Sequence, residues 1–512
     1  MEGVLPLGIL NFRGKEVKFG INFQDRRRHI YIIGKTGQGK TTLLENMINF
    51  DIKSNKGLAF LDPHGDSIQR ILDYIPKERI DDVVYFNPTD INHPVGFNPL
   101  EKVSWEQRHL IVSSLLSIFK KIWVDAWSAR MEYILTNTLL ALLEWPNSTL
   151  LDVNRLLSDD NFRKAVVNNL KDTVVKSFWL SEFNKYHLQF RVEAVAPIQN
   201  KIGQFVANPL IRNIIGQSES AFDLRKLMDE GKIFLANLSV GAIGEETSRL
   251  LGGLLITKFQ LAAMSRVNVL EEERRDFYLY IDEFQNFATE SFINILSEAR
   301  KYRLCLILAH QYLDQVPQEI IKSVFGNVGT FIIFRLGAND AEIFNKELGE
   351  TVKIDDLVNL PAYHVYVKLL VKGIPSNPFL ASTFPPMQKP EKSFKEEIIS
   401  LNHLKYAKRR SAVESKIIRI YKFSGLNNQQ NLVYCKNCQQ PFIAEAEDEG
   451  ICQECQEKIK TGISLKKAIE EEMIIDKKTN ILSDKKSSKN GYKNNESANN
   501  LDSILNKLKN ES

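Results

Sequence analysis

Eight short runs of consecutive apolar residues recur before position 380: HIYIIG (29–34), GLAFLD (57–62), DVVYFN (82–87), KIFLANL (232–238), FYLYID (277–282), CLILAH (305–310), GTFIIFRL (329–336) and HVYVKLLV (364–371). Their apolar positions are continuous and do not alternate, which predicts strands buried on both faces. Stretches with helical spacing separate most of them, among them 41–50, 246–266 and 290–302. Strand then helix, repeated, predicts an α/β domain built on a mostly parallel sheet.

The rhythm fails once. Between 104 and 226 no run reads as a strand, and segments such as RMEYILTNTLLALLEW (130–145) and FRKAVVNNL (162–170) carry helical spacing. This predicts an all-helical insertion, with the sheet assembled from 1–103 and 227–388. Residues 389–430 carry a basic helical pattern, with Lys405, Lys408, Arg409, Arg410, Lys416 and Arg419, expected as a solvated linker. A cysteine-bearing module succeeds it at 431–460. The stretch 461–512 ends in a Lys-, Asn- and Ser-rich tail, with eight lysines against five acids from 476 onward, expected to be largely disordered.

Composition narrows the reading. A 512-residue chain with 43% hydrophobic and 25% charged residues is neither fibrous nor wholly disordered. Its net charge of +4 requires that any nucleic-acid surface be local. Apolar stretches such as 250–264 are interrupted by Thr257, Lys258 and Gln260, short of the roughly 20 residues that span a bilayer. The first residues lack the parts of a secretory signal, so a cytoplasmic chain is expected. Four of the five cysteines, Cys435, Cys438, Cys452 and Cys455, form two C-x-x-C pairs with thirteen residues between them. That is the spacing of a tetrahedral structural Zn²⁺ site in a zinc ribbon. Cys305, inside an apolar run, reads as core.

The sharpest signal is Gly34-Lys35-Thr36-Gly37-Gln38-Gly39-Lys40-Thr41, then Thr42, between a predicted strand and a predicted helix. It matches G-x-x-x-x-G-K-S/T, a loop whose glycines turn backbone N–H groups toward phosphates. Lys40 is expected to reach the β and γ oxygens of ATP, and the Thr41 hydroxyl to ligate Mg²⁺. FYLYID ends in Asp282-Glu283 at the carboxyl edge of the sheet, where open α/β sheets bind ligands. Asp282 is expected to hold the Mg²⁺ shell, and Glu283 to orient and deprotonate the attacking water. Gln311, ending CLILAH, either senses the γ-phosphate or caps a loop. Asp62, in LDPHGD (61–66) with His64 and Asp66, either joins the Mg²⁺ and water network or makes an Asp-Pro turn. Arg300 and Arg335 are candidates for a cation supplied across a subunit interface, or else structural ion pairs. Arg26-Arg27-Arg28 either lines a DNA-binding surface or forms a capping or solvated turn.

GKTGQGKTT, LDPHGD, GFNPL (96–100), Trp127-Ser128-Ala129-Arg130, YIDEFQNF and AHQY (309–312), in this order over residues 5–385, resemble the HerA/FtsK superfamily of P-loop ATPases. The likeness is nearest to the TraD/TraG-type coupling ATPases of type IV secretion and conjugation. It implies a RecA-like P-loop NTPase that forms a homo-hexameric ring, binds DNA and threads it through a central channel, with residues 104–226 as an all-helical domain. Such proteins usually begin with membrane-spanning helices. Here the ATPase motifs start almost at once, so the resemblance implies a separate membrane or secretion-channel subunit and a place at the inner face of the cell membrane. Two neighbouring functions remain open: a HerA-like DNA-repair translocase, and a pilus or protein-secretion ATPase with protein cargo.

Overall fold

The computed structural model describes residues 3–101, 103–424, 432–435, 441–443 and 455–456. The chain divides into two compact units, Met1–Gly425 and Leu426–Ser512. In the first unit, eleven strands form one sheet: β1 (Val4–Phe12), β2 (Lys15–Asn22), β3 (Ile30–Ile33), β4 (Gly57–Asp62), β5 (Val83–Phe86), β6 (Ile233–Asn237), β7 (Phe277–Ile281), β8 (Leu304–His310), β9 (Thr330–Ile333), β10 (His364–Lys368) and β11 (Phe379–Thr383). Their order is β2-β1-β11-β10-β9-β3-β8-β7-β4-β6-β5. The seven strands from β9 to β5 run parallel.

Seven of the predicted strands are buried at every position, as continuous apolar runs require. The eighth differs. HVYVKLLV breaks after Lys368, and its burial alternates because β10 pairs antiparallel with both β9 and β11. Its alternate residues therefore face away from the core. The hairpin β1–β2 and strand β11 extend this antiparallel side and carry no continuous apolar run, so periodicity passed over them.

Four helices matter for the site: α1 (Lys40–Lys53), α2 (Arg108–Ile122), α3 (Glu245–Met264) and α4 (Lys395–Tyr406). Among the described residues between β5 and β6 there are helices and turns but no strand, including Ala129–Glu144 and Asp160–Asn169. The stretch Glu245–Asn268, which contains α3, is long and apolar enough by composition to cross a membrane, a correction to the expectation drawn from its interrupted apolar run. Yet 67% of its apolar window is buried inside the protein. Gly252 and Gly253 let Phe287 and Ile118 pack directly against its backbone.

Lys405, Lys408, Arg409, Arg410, Lys416 and Arg419 all face solvent, as a charge run suggests, but the stretch that carries them is anchored to the sheet. α4 packs on the free edge of the sheet, with Ile398 and Asn402 buried. Asn402 Oδ1 accepts from the Tyr85 N–H (2.7 Å), and its Nδ2 donates to the Val83 carbonyl (3.2 Å). One amide thus replaces the ladder partner that β5 lacks on its outer side, which closes an edge otherwise open to association.

Arg26 does not contribute to a DNA-binding surface. It is 1% exposed and bidentate to Asp51 of α1 (2.7 and 2.7 Å), donates to the Tyr280 hydroxyl (2.8 Å), and stacks on Tyr278. Arg27 is paired with Asp276 at 2.8 Å, and Arg28 remains exposed. In the second unit, Leu432–Tyr434 pairs antiparallel with Pro441–Ile443, and Cys435 and Cys455 are buried. Cys438, Cys452 and the residues after 456 lie outside the described residues.

Both buried groups near β3 give measurable outcomes. Arg26→Leu strands Asp51 as an uncompensated buried charge and should cost about 3–5 kcal/mol in urea unfolding, with Arg26→Leu/Asp51→Leu recovering part of it. His29 is held neutral: its Nδ1 accepts from the Leu306 N–H (3.0 Å), so Nε2 donates to the Leu296 carbonyl (3.2 Å). Burial lowers its pKa to about 4. A depressed folded pKa gives stability that is complete above the unfolded value and lost as pH falls from about 6.5 toward 4, about 3 kcal/mol for this group. The unfolding free energy of His29→Gln should therefore fall less between pH 7 and pH 4.5 than that of the wild type.

Candidate functional site

Strand β3 ends at Ile33 and α1 begins at Lys40; the loop between them wraps the amino end of the helix. Gly39 caps α1 with φ +111°, and a Cβ there would lie 2.9 Å from the Tyr363 ring. At Gly34 it would lie 2.5 Å from Phe334 Cβ. Only glycine fits such a close approach. The loop is tied down from outside by Lys35 N–H to the Arg335 carbonyl (2.9 Å) and Tyr363 N–H to the Gln38 carbonyl (2.9 Å). Lys35, Thr36 and Gly37 are exposed, while Gln38 and Lys40 are buried. Thr41 and Thr42 are half-buried on the first turn of α1. Lys40 Nζ donates to the Gly34 carbonyl (2.6 Å) and the Lys35 carbonyl (3.2 Å). Burial lowers its pKa, against the opposing pull of Glu283 and Asp282.

Asp282 and Glu283 come directly after β7. Asp282 is 2% exposed, and its pKa rises to about 7 because it is desolvated beside Glu283 and Asp62. Glu283 has φ +45°, a left-handed backbone that is strained for a residue with a Cβ. Its carboxylate is clamped: Gln311 Nε2 donates to Oε1 at 2.9 Å and Gln285 Nε2 to Oε2 at 2.6 Å. His64 Nε2 stands 3.8 Å from Oε1, a charge contact rather than a hydrogen bond. Burial alone would raise the Glu283 pKa. The contacts from His64, Gln285 and Gln311 and the Lys40 charge outweigh it and bring the pKa down to about 2. Glu283 is thus ionised at neutral pH, oriented, and close to the phosphate loop.

Asp62 reaches the same edge on β4, with both oxygens engaged by backbone: Oδ1 accepts from His64 N–H (2.9 Å), and Oδ2 from Ser67 (3.1 Å) and Ile68 N–H (3.3 Å). This is the turn alternative for Asp62, and it presents His64 to Glu283. Arg335 lies just past β9 beside its own phosphate loop, half-buried, with Nε lacking a hydrogen-bond partner. Arg300 is exposed at the opposite, amino edge of the sheet, just before β8, where it lines a cavity of about 840 Å³ with Arg27, Arg28, Arg303 and Lys372. The two arginine candidates therefore occupy opposite edges of the sheet.

Sequence reasoning missed Gln285 and Lys121. Gln285 was visible inside YIDEFQNF, but a glutamine in a loop carries no signal until the chain turns it back on Glu283. Lys121 lies on α2, in the helical insertion, and donates to the Gln285 and Ala288 carbonyls, both at 2.6 Å. Burial, with Arg249 nearby, lowers its pKa to about 7. The insertion thus grips the loop that positions Glu283. Lys121→Met should reduce nucleotide turnover by the purified chain about tenfold with little change in KM. Since the charged ammonium makes the stronger bonds, the wild-type advantage should be largest below pH 7 and shrink above it.

Comparison with known proteins places this geometry. The model of the type IV secretion-system coupling protein DNA-binding domain matches residues 18–360. Among solved structures, the bacterial conjugative coupling protein TrwBdeltaN70 in an unbound monoclinic form is similar, with TM-score 0.54 and 14% identity over 72% of this chain and 88% of that one. The plasmid coupling protein TrwB in complex with ADP and Mg²⁺ gives 0.54 and 15% over 73% and 90%. TrwB with a non-hydrolysable ATP analogue gives 0.51 and 16% over 71% and 86%. At these identities the likeness is one of fold. No curated protein matches the chain. A family match over two-thirds of the sequence, on a fold with the phosphate loop and carboxylates at one sheet edge, makes this chain a member of the type IV secretion-system coupling proteins.

Proposed function

We propose that the chain hydrolyses Mg-ATP and uses the cycle to move DNA, as a homo-hexameric ring. The observation that carries this reading is the clamped, ionised Glu283 at the mouth of the phosphate loop. A carboxylate with so low a pKa is a weak base at rest. Its role is to hold the attacking water in line and accept its proton at an Oε as the bond to phosphorus forms. Gln311, bonded to the same carboxylate, reports the γ-phosphate to Glu283. Lys40 exchanges its loop carbonyls for phosphate oxygens, and the loop amides from Gly34 to Thr42 cradle the rest.

The residues fit the cation and the nucleotide. Thr41 and Asp282 are the oxygen donors that would hold Mg²⁺, and desolvated Asp282 sits where a divalent charge relieves its crowding with Glu283 and Asp62. The ion would neutralise charge on the phosphate oxygens. The orphan Nε of Arg335 suits an anion bound on its own loop. Arg300, on the far edge in a basic cavity, suits the role of a finger toward the nucleotide of a head-to-tail neighbour.

DNA as cargo rests on the family matched, whose domain is described as DNA-binding. The grip would come from phosphate contacts that weaken with salt. The zinc ribbon is likewise our reading, supported by the four-cysteine spacing and by a hairpin whose first strand runs directly into Cys435.

Steady-state hydrolysis without DNA, with single-stranded DNA and with duplex, each at two salt concentrations, tests the proposal. DNA should stimulate turnover several-fold, less at high salt. Lys40→Ala should abolish turnover. Glu283→Gln should lower kcat by about 100-fold or more while nucleotide binding persists. Turnover indifferent to both forms of DNA would favour a protein cargo.

A further inference from the structure

The loop after β5 and helix α4 bring together a cluster that the nucleotide site does not use. Asp90 and His93 lie on the loop and His403 on α4. One ligand atom from each falls within 4.8 Å of the others, and all three residues are half-buried. His403 Nε2 lies 2.7 Å from Asp90 Oδ2, and His93 Nδ1 lies 3.4 Å from Asp90 Oδ1. The two imidazoles stack at 4.0 Å between centroids, 18° from parallel. The Asn92 and His93 N–H groups donate to Asp90 Oδ1 at 3.2 and 3.1 Å, which fixes the carboxylate.

We propose that Asp90, His93 and His403 form a Zn²⁺ site with solvent as the fourth ligand. Two imidazole nitrogens and one carboxylate oxygen suit zinc among the common cations, since Mg²⁺ and Ca²⁺ prefer oxygen alone. Zn–N and Zn–O bonds of about 2.0–2.2 Å put donors about 3.3 Å apart, so the widest separation must close by at most about 1.5 Å while the 2.7 Å contact between His403 and Asp90 opens slightly, changes within reach of side-chain rotation. Zinc binds the neutral tautomer of His403 that carries its one proton on Nδ1, so the hydrogen bond between Nε2 and Asp90 Oδ2 is exchanged for two bonds to the metal. The remaining partial exposure leaves room for the water ligand.

The location gives the site a purpose. The same loop and the end of α4 are already joined by the Val95–Ala407 bridge, by Lys408 N–H to the Pro94 carbonyl (3.3 Å) and by Arg410 N–H to the Asn92 carbonyl (3.0 Å). All of these are backbone links. A cation joining His403 to Asp90 and His93 adds a side-chain cross-link between the helix that covers the β5 edge and the loop that leaves that strand. It acts as a staple for the sheet edge, separate from both the nucleotide site and the cysteine pairs.

The test uses the full chain carrying Cys435→Ser and Cys455→Ser, which breaks up the four-thiolate set, in excess Mg²⁺ to occupy the nucleotide-site carboxylates. Zn²⁺ bound per chain is measured by equilibrium dialysis with elemental analysis, and thermal unfolding is tracked with and without Zn²⁺. One equivalent should bind and raise Tm. His403→Gln and Asp90→Asn should each weaken binding by about 100-fold or more and abolish the Zn²⁺-dependent rise in Tm. Circular dichroism matching the parent excludes misfolding as the cause. Failure of the parent to bind zinc, or unchanged affinity in both variants, would overturn the proposal.

Discussion

The site depends on the register of four neighbouring parallel strands. Ile33 of β3 lies opposite His310 of β8, Leu308 of β8 opposite Ile281 of β7, and Ile281 opposite Leu61 of β4. The strands therefore stop within about two residues of one another, and the residue at or just past each end is Gly34, Gln311, Asp282 or, closing β4, Asp62. Strands buried on both faces have no room for polar groups along their length, since an unpaired buried carboxylate is costly. The chemistry is driven to the carboxyl edge, where loops, solvent and the amino end of α1 can serve it.

Around that edge the structure accepts local cost for a defined geometry. Glu283 takes a left-handed backbone, and the energy is offset by the two glutamines that grip its carboxylate from different strands' loops. Asp282 sits desolvated beside it. Behind the site, Arg26 and Asp51 form a fully buried pair that joins the turn before β3, the far end of α1 and, through Tyr280, the strand carrying the two acids. A buried ion pair adds little net stability but penalises misalignment severely. Here it registers the phosphate-loop helix against the carboxylate strand from the side opposite the chemistry.

The helical insertion and the basic stretch after 389 are integrated with this core. Lys121 reaches from α2 to the loop behind Glu283, so a displacement of the insertion changes how the glutamate is presented. GFNPL, one of the motifs that carried the resemblance, has a structural part in this: Asn98 is wholly buried and donates to the Ser148 and Ser218 carbonyls, pinning two points of the insertion to the sheet domain. At the other end of the sheet, α4 supplies a side-chain amide where β5 has no strand neighbour.

Hydrophobic continuity and a few dense motifs determined the α/β class, the seven buried strands, the helical character of 104–226, the phosphate loop and Asp282-Glu283, because each rests on residues adjacent in sequence. The tertiary structure decided what depends on residues far apart. Arg26 reads as surface charge until Asp51 and Tyr280 are brought to it. Gln285 and Lys121 acquire a role only from the turn after Glu283 and the docking of α2. Asp62 becomes a turn-former because backbone amides reach both its oxygens. The antiparallel strands β1, β2 and β11 escaped notice because a strand that is half-exposed along its length needs only alternating or short apolar content. Asp90 and His403 stand 313 positions apart and, with His93, carry no joint pattern; a cluster of that kind exists only once the chain has folded.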